Sequence, residues 1–284
     1  MVRCISLIIV FLVLLIGKNG IAQSDNDTNR IHFPSRTLSL DNAYFQSLPR
    51  GTIILYGGLD SQKNWVSTLI NKKGTRTRYG IIRVEYYFSR HVSIKVQGAV
   101  RQTLIPLMEN TNHDSPTSIT DVDDFTISTL AAFIMEKRLV PSMGINISTR
   151  LPNTNQLKGL GNNSTDIQMT FVTSKHIKNF LLALNAGIGI LTPPLKTNTQ
   201  NDVFLYGALV IWKAHPRFFL LGEVKGRHSS MRIPFVGTED RSYAKMGIQW
   251  SPFIFSFELL ALKGLTSIDG DFGIMAGIST QLHL

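Results

Sequence analysis

The side chains with chemistry to offer are charged residues that recur at every second place. Arg83 and Glu85 share one such face, and Lys95, Gln97 and Arg101 share the next. Further along come Arg150, then Glu223, Lys225 and Arg227, then Lys245 and Glu258, with Asp124 and Asp166 in equivalent positions. Alternate residues of extended chain lie on one side, so these groups are expected to meet in a common interior. Basic residues exceed acidic ones there, which suits anions or anionic organic solutes. A self-paired, solvated filling with no transport role is the competing reading. A second constellation is His228-Ser229-Ser230-Met231-Arg232. Its His228 and Ser230 have the spacing of a base and a nucleophile. Such a pair needs a third group to set the imidazole tautomer, and the sequence offers none, so the stretch reads as a polar loop and the chain as no enzyme. Seven scattered histidines show no paired spacing for a metal, and the single cysteine, Cys4, sits at the very start. No metal, cofactor or disulfide is expected.

The elements that must position these charges are strands. Period-two alternation begins near Arg50 and recurs in runs of eight to twelve residues, with no core-length helical period. Twelve strands are expected, at 51–59, 79–88, 92–102, 124–137, 142–151, 165–174, 180–191, 202–213, 217–227, 241–250, 253–263 and 271–284. The other faces of these strands hold almost no charge: Ile82, Val84, Tyr86 and Phe88 in one, Phe180, Leu182, Leu184, Ala186, Ile188 and Ile190 in another. Long connections (60–78, 103–123, 152–164, 192–201, 228–240, 264–270) alternate with short ones (89–91, 138–141, 175–179, 214–216, 251–252). Aromatics gather beside the short turns, among them Tyr86, Phe88, Phe133, Phe180, Trp212, Phe218, Trp250 and Phe253. Loop asymmetry, uncharged outer faces and an aromatic girdle together describe an all-β transmembrane antiparallel up-and-down barrel of about twelve strands, apolar toward lipid and polar toward the lumen. A soluble sandwich shares the alternation but has no reason to alternate its loop lengths. If Phe88 faces Val92, then Glu85 faces Lys95; if Trp250 faces Phe253, then Lys245 faces Glu258. Both registers set opposite charges across the lumen face.

The chain has 284 residues, 43% of them hydrophobic, and its mean hydropathy is only +0.07, too low for a multi-helix membrane protein. Its one long apolar run, from Ile5 to Ile16, is too short to span a bilayer. Arg3 precedes it and Gly20-Ile21-Ala22 follows, so residues 1–22 read as a secretory signal peptide cut after Ala22. The formal charge of +10 then falls to +8, from loss of Arg3 and Lys18. Residues 23–49 read as a polar tail and entry segment, and 50–284 as an outer-membrane barrel of a Gram-negative bacterium, surrounded by outer-membrane lipids. The chain ends on a strand, with Phe272, Ile274, Ala276, Ile278, Thr280, Leu282 and Leu284 on one face. Such C-terminal strands are what the barrel assembly machinery recognises, although Leu284 stands where an aromatic is usual. No nucleic-acid-binding motif is present, and secretion argues against that partner.

From Asp121 onward the chain resembles the outer-membrane barrel family named for the meta-pathway of phenol degradation, a group of transporters. The resemblance rests on Asp123-Asp124-Phe125-Thr126-Ile127, Asn146-Ile147-Ser148-Thr149-Arg150-Leu151-Pro152-Asn153, Gly159-Leu160-Gly161, Ser164-Thr165-Asp166-Ile167, Thr173-Ser174-Lys175 and Asn185-Ala186-Gly187, with Leu48-Pro49-Arg50-Gly51 upstream. It implies a passive channel or transporter for small solutes, hydrophobic or aromatic ones included, and transfers no catalytic residue. Two other functions stand beside it. One is a structural or surface-binding barrel with a filled lumen, whose polar loop 103–123 (Asn110, Asn112, His113, Asp114) contacts a partner. The other is a hydrolase resembling outer-membrane phospholipase, using His228 and Ser230, although Met231 and Arg232 replace the Asn and Gly of that family's motif. The sequence names no solute and no oligomeric state.

Overall fold

The computed structural model describes residues 39–107, 117–194 and 199–284. Its strands are β1 (Thr52–Ser67), β2 (Lys72–Tyr87), β3 (Val92–Pro106), β4 (Ile119–Asp121), β5 (Phe125–Ile134), β6 (Ser142–Leu151), β7 (Asp166–Ile177), β8 (Phe180–Leu191), β9 (Asn201–His215), β10 (Phe218–Ser229), β11 (Arg241–Trp250), β12 (Phe255–Gly264) and β13 (Gly273–His283). A single 3₁₀ turn, Gln156–Lys158, interrupts the β6–β7 loop. Every pairing is antiparallel, and β1 closes the sheet on β13 from Thr52↔His283 to Gln62↔Gly273. Three-residue β4 only extends the β3–β5 seam, pairing with Gln102–Leu104. The wall is therefore a closed barrel of twelve long strands, as the alternation predicts.

Why these residues make this wall is clearest in β9. Val203, Leu205, Leu209 and Ile211 are buried inside it, while Phe204, Tyr206, Val210 and Trp212 are exposed outside. Strands β8 and β12 alternate in the same way. Large apolar side chains on the outer face of a closed barrel are what a lipid-facing band requires. The aromatic girdle is present at the short-turn end: Phe180 stacks on Trp212 at 5.8 Å, and Phe218 on Trp250 at 6.3 Å.

The structure departs from the sequence reading in several places. Residues 60–78 are not a long loop: β1 and β2 run on to a four-residue turn at 68–71. Above the apolar band both faces of these strands are polar, so the period that reveals a strand disappears. The β11–β12 turn spans 251–254, not 251–252, and Trp250 pairs with Phe257 rather than Phe253. Ser251-Pro252 cannot form a two-residue hairpin loop. Consequently Gln249, not Lys245, faces Glu258, and Lys245 faces Leu262 on β12 and Glu223 on β10. The Glu85↔Lys95 register is the one expected. Third, the β1–β2 ladder slips between Gly58 and Asp60, where Gly80 takes φ +59°. Below this bulge Ile81, Arg83 and Glu85 point inward; above it Arg76 and Arg78 do. Fourth, the phase change is shared by β3, so Arg101, expected in the lumen, is exposed outside opposite Tyr79.

Residues 39–48 are not simply the end of a polar tail. They run inside the barrel, with Leu40, Tyr44 and Phe45 all buried. Each such side chain contributes about 1.5–3 kcal/mol on burial. Leu40 and Tyr44 belong to one apolar cluster with inward residues of the short-turn half, including Tyr56, Leu181, Ile211, Phe219 and Leu260. Phe45 packs with Leu130 and Val172. Residues 1–38, including the stretch read as a signal peptide and the first part of the tail, like Asn110, Asn112, His113 and Asp114, lie outside the described residues.

Candidate functional site: a basic vestibule above a seated segment

The strand pairing of β9, β10 and β11 sets Glu223 opposite Lys245 and Lys225 opposite Tyr243 on neighbouring inward positions. Into this group the 39–48 segment inserts Asp41 and Asn42. Asp41 Oδ1 accepts a bond from Arg83 at 2.8 Å, and Oδ2 accepts from Tyr243 Oη at 2.6 Å and from Lys245 Nζ. The backbone is held as firmly: Lys225 donates to the Asp41 carbonyl at 3.0 Å, Arg83 to the Leu40 carbonyl at 3.2 Å and Lys245 to the Ser39 carbonyl at 2.8 Å. Glu223 accepts from the amides of Asp41 and Asn42 and from Asn42 Nδ2, each at 3.0 Å, and pairs with Lys245 at 3.2 Å. Burial alone would raise the Asp41 carboxyl, but Lys245, Arg83 and Lys225 outweigh it and hold the group well below the ordinary value of 3.8. Farther toward the short turns, Asn185 exchanges hydrogen bonds with Ala43 through both its amide atoms, and Ser174 Oγ accepts from the Phe45 amide.

Above Asp41, toward the longer loops, lies a cavity of about 340 Å³. Its wall carries Arg76, Arg78, Arg150, Arg227 and Arg241, with Trp65 and Gln97 among them. Three of these arginines have carboxylate partners: Arg78 grips Asp60 through two nitrogens, Arg150 pairs with Asp166, and Arg241 pairs with Asp269 at 3.2 Å. Arg227 instead donates to the carbonyls of Glu239 and Gly237. Arg76 lies over the Trp65 ring at 4.6 Å, and its buried Nε meets no acceptor. Asp124, also inward, accepts from Asn153, Thr154 and the Thr154 hydroxyl and so ties down the β6–β7 loop.

The sequence-derived set thus divides. Arg83, Glu223, Lys225 and Lys245 converge on Asp41, while Gln97, Arg150 and Arg227 line the cavity. Glu85 and Glu258 are buried toward the short-turn half, Glu85 accepting from Ser93 Oγ at 2.6 Å, and Lys95 is half-buried opposite Glu85. Arg101 is outside. Sequence reasoning missed Asp41, Tyr243, Trp65, Arg76 and Arg78. Tyr243 shares the i, i+2 spacing of Lys245 and could have been found by it; Arg76 and Arg78 were hidden because both faces of their strand end are polar and the stretch reads as a loop. The His228 ring, largely exposed, meets Asp240 at 2.7 Å, and no hydrogen bond joins it to Ser230 among the described residues. No three-residue His, Cys, Asp or Glu group fit for a metal occurs among the described residues.

No family model matches the chain, and no curated protein matches it. Solved structures do. An outer-membrane channel from Pseudomonas putida F1 aligns with TM-score 0.57 at 12% identity, covering 86% of this chain and all of the other. The NanC porin aligns with TM-score 0.53 at 9% identity, covering 81% of this chain and all of the other. At these identities the likeness is one of fold: a closed twelve-strand barrel of the outer-membrane kind.

Proposed function

We propose that the protein is a passive outer-membrane channel for small solutes, organic anions foremost, closed at rest by its own residues 39–48. The observation that carries this is the basic vestibule: a cavity of a size to take a small solute, lined by an excess of arginine, ending on a segment that belongs to no strand and is seated in the lumen by hydrogen bonds and ion pairs. The two aligned barrels are described as a channel and a porin, and the resemblance of short stretches to the meta-pathway family suggests aromatic compounds among the solutes. In this reading the short turns and both termini face the periplasm, the signal peptide is removed after Ala22, and the C-terminal strand β13 is presented to the assembly machinery.

Proteoliposomes test it. Benzoate uptake through the wild-type chain should exceed that of a neutral sugar of similar size, and Arg76→Gln with Arg227→Gln should cut benzoate uptake several-fold while leaving the sugar unchanged. Uptake no faster than in protein-free vesicles would favour the alternative, a structural or surface-binding barrel. That alternative draws on a specific observation: the short-turn half of the lumen is packed with apolar side chains.

A further inference from the structure

We propose that the Asp41 seat is a carboxylate-binding site which the chain fills with its own side chain, and that a small organic monocarboxylate arriving from the vestibule takes Asp41's place and releases the 39–48 segment. The proposal rests on the channel reading for its route, not for its chemistry.

Three observations carry it. The first is the division between fixed and movable parts. Arg83 on β2, Lys225 on β10, and Tyr243 and Lys245 on β11 belong to the paired wall, so their positions are set by the ladders. The carboxylate they hold belongs to a segment in no strand. Its two oxygens receive a guanidinium on one side and a phenol and an ammonium on the other. Charge-assisted donors arranged this way recognise a carboxylate, whichever molecule carries it. The second is access. Asp41, Arg83, Tyr243 and Lys245 all line the 340 Å³ cavity, so a solute reaches the seat from above without first moving the segment. Ile81, Leu262 and Trp65 in the same lining offer apolar surface to the body of an organic acid. The third is the approach. Arg76 and Arg227, the two vestibule arginines with no carboxylate in ion-pair contact among the described residues, stand in that same wall. They give an incoming anion a first resting place.

The exchange selects for charge. A carboxylate that replaces Asp41 restores negative charge beside Arg83, Lys245 and Lys225. A neutral solute removes it and returns none, and withdrawing one partner of a buried ion pair is strongly destabilising. Because Asp41 is tethered, a free acid competes against an effective concentration in the millimolar range, so the response belongs at millimolar rather than micromolar acid.

The test uses Ser39→Cys. Ser39 is fully buried in the lumen, and the chain's single natural cysteine, Cys4, lies in the segment read as cleaved. The folded protein is exposed to a water-soluble maleimide in roughly 10–50 mM benzoate, with benzyl alcohol and sodium chloride at equal concentration as comparisons. Labelling is expected to be slow at rest and about tenfold faster in benzoate alone. Adding Asp41→Asn should give labelling that is fast from the start and indifferent to benzoate. The proposal is overturned by labelling that benzoate does not change, by equal acceleration in benzyl alcohol, or by benzoate acceleration that survives in Asp41→Asn. The benzoate comparison decides the matter even if Asp41→Asn does not fold. Labelling needs no transport, so a failed seat and a failed channel are told apart by the uptake experiment.

Discussion

At the scale of the residue, the seated segment depends on one place where the wall has no side chain. Gly207, inward on β9, lies so near Asn42 that a methyl group there would stand 1.8 Å from Asn42 Oδ1. Asn42 Nδ2 meanwhile reaches Glu223 and the carbonyls of Ala208 and Val224. Gly207→Ala should therefore leave the barrel closed and paired but push Asn42 out. A buried polar group stripped of its partners costs about 1–3 kcal/mol, enough to loosen the segment roughly fivefold or more. The expected result is faster proteolysis within residues 39–48 with unchanged resistance of the folded barrel to detergent; equal proteolysis in both proteins would show that Asn42 does not seat the segment. The charges that grip Asp41 were legible because strand alternation exposes them as a set. Asp41 and Asn42 themselves were not. A ten-residue stretch with no period carries no mark of the surface it will line, and its polarity reads equally well as a solvated tail.

At the scale of the element, the wall was legible wherever one face meets lipid. β6, β8 and β11 have the ends that alternation alone predicts. The misreadings fall where that contrast lapses. Asp60, Gln62, Arg76 and Arg78 face the lumen while Lys63, Thr75 and Thr77 alternate with them, so both sides are polar and a strand looks like a loop. Gly80 adds a second failure, since a bulge changes which residues point inward without leaving any gap in the sequence pattern. It also places the vestibule arginines. Gly80→Val should cost about 1–2 kcal/mol, because a side chain at φ +59° is strained and its Cβ would crowd Val100 at 3.2 Å. Gly80→Asn, which tolerates that backbone, should lose little. Urea unfolding in detergent micelles measures both. Equal losses would mean that the left-handed backbone is not what the position demands.

At the scale of the whole molecule, the lumen has two halves of opposite character. The long-loop half is charged and roomy enough for a small molecule. The short-turn half is filled by Leu40 and Tyr44 together with apolar side chains from the wall. Such a split explains why a barrel inferred from polar inward faces turns out to bury Leu181, Ile211, Phe219, Leu221 and Leu260 on those same faces: these residues pair with the inserted segment rather than with water. Basic side chains outnumber acidic ones around the vestibule, and Asp60, Asp166 and Asp269 partly neutralise them.

The central claim is that residues 39–48 close a route through the barrel. Single-channel recording in planar bilayers, comparing the wild-type chain with one lacking residues 39–48, tests it most directly. The deletion is predicted to give discrete conductance steps that the wild type shows rarely or at much smaller size, with a reversal potential in a salt gradient on the anion-preferring side. A deleted barrel that folds, inserts and still conducts no better than the wild type would contradict the account.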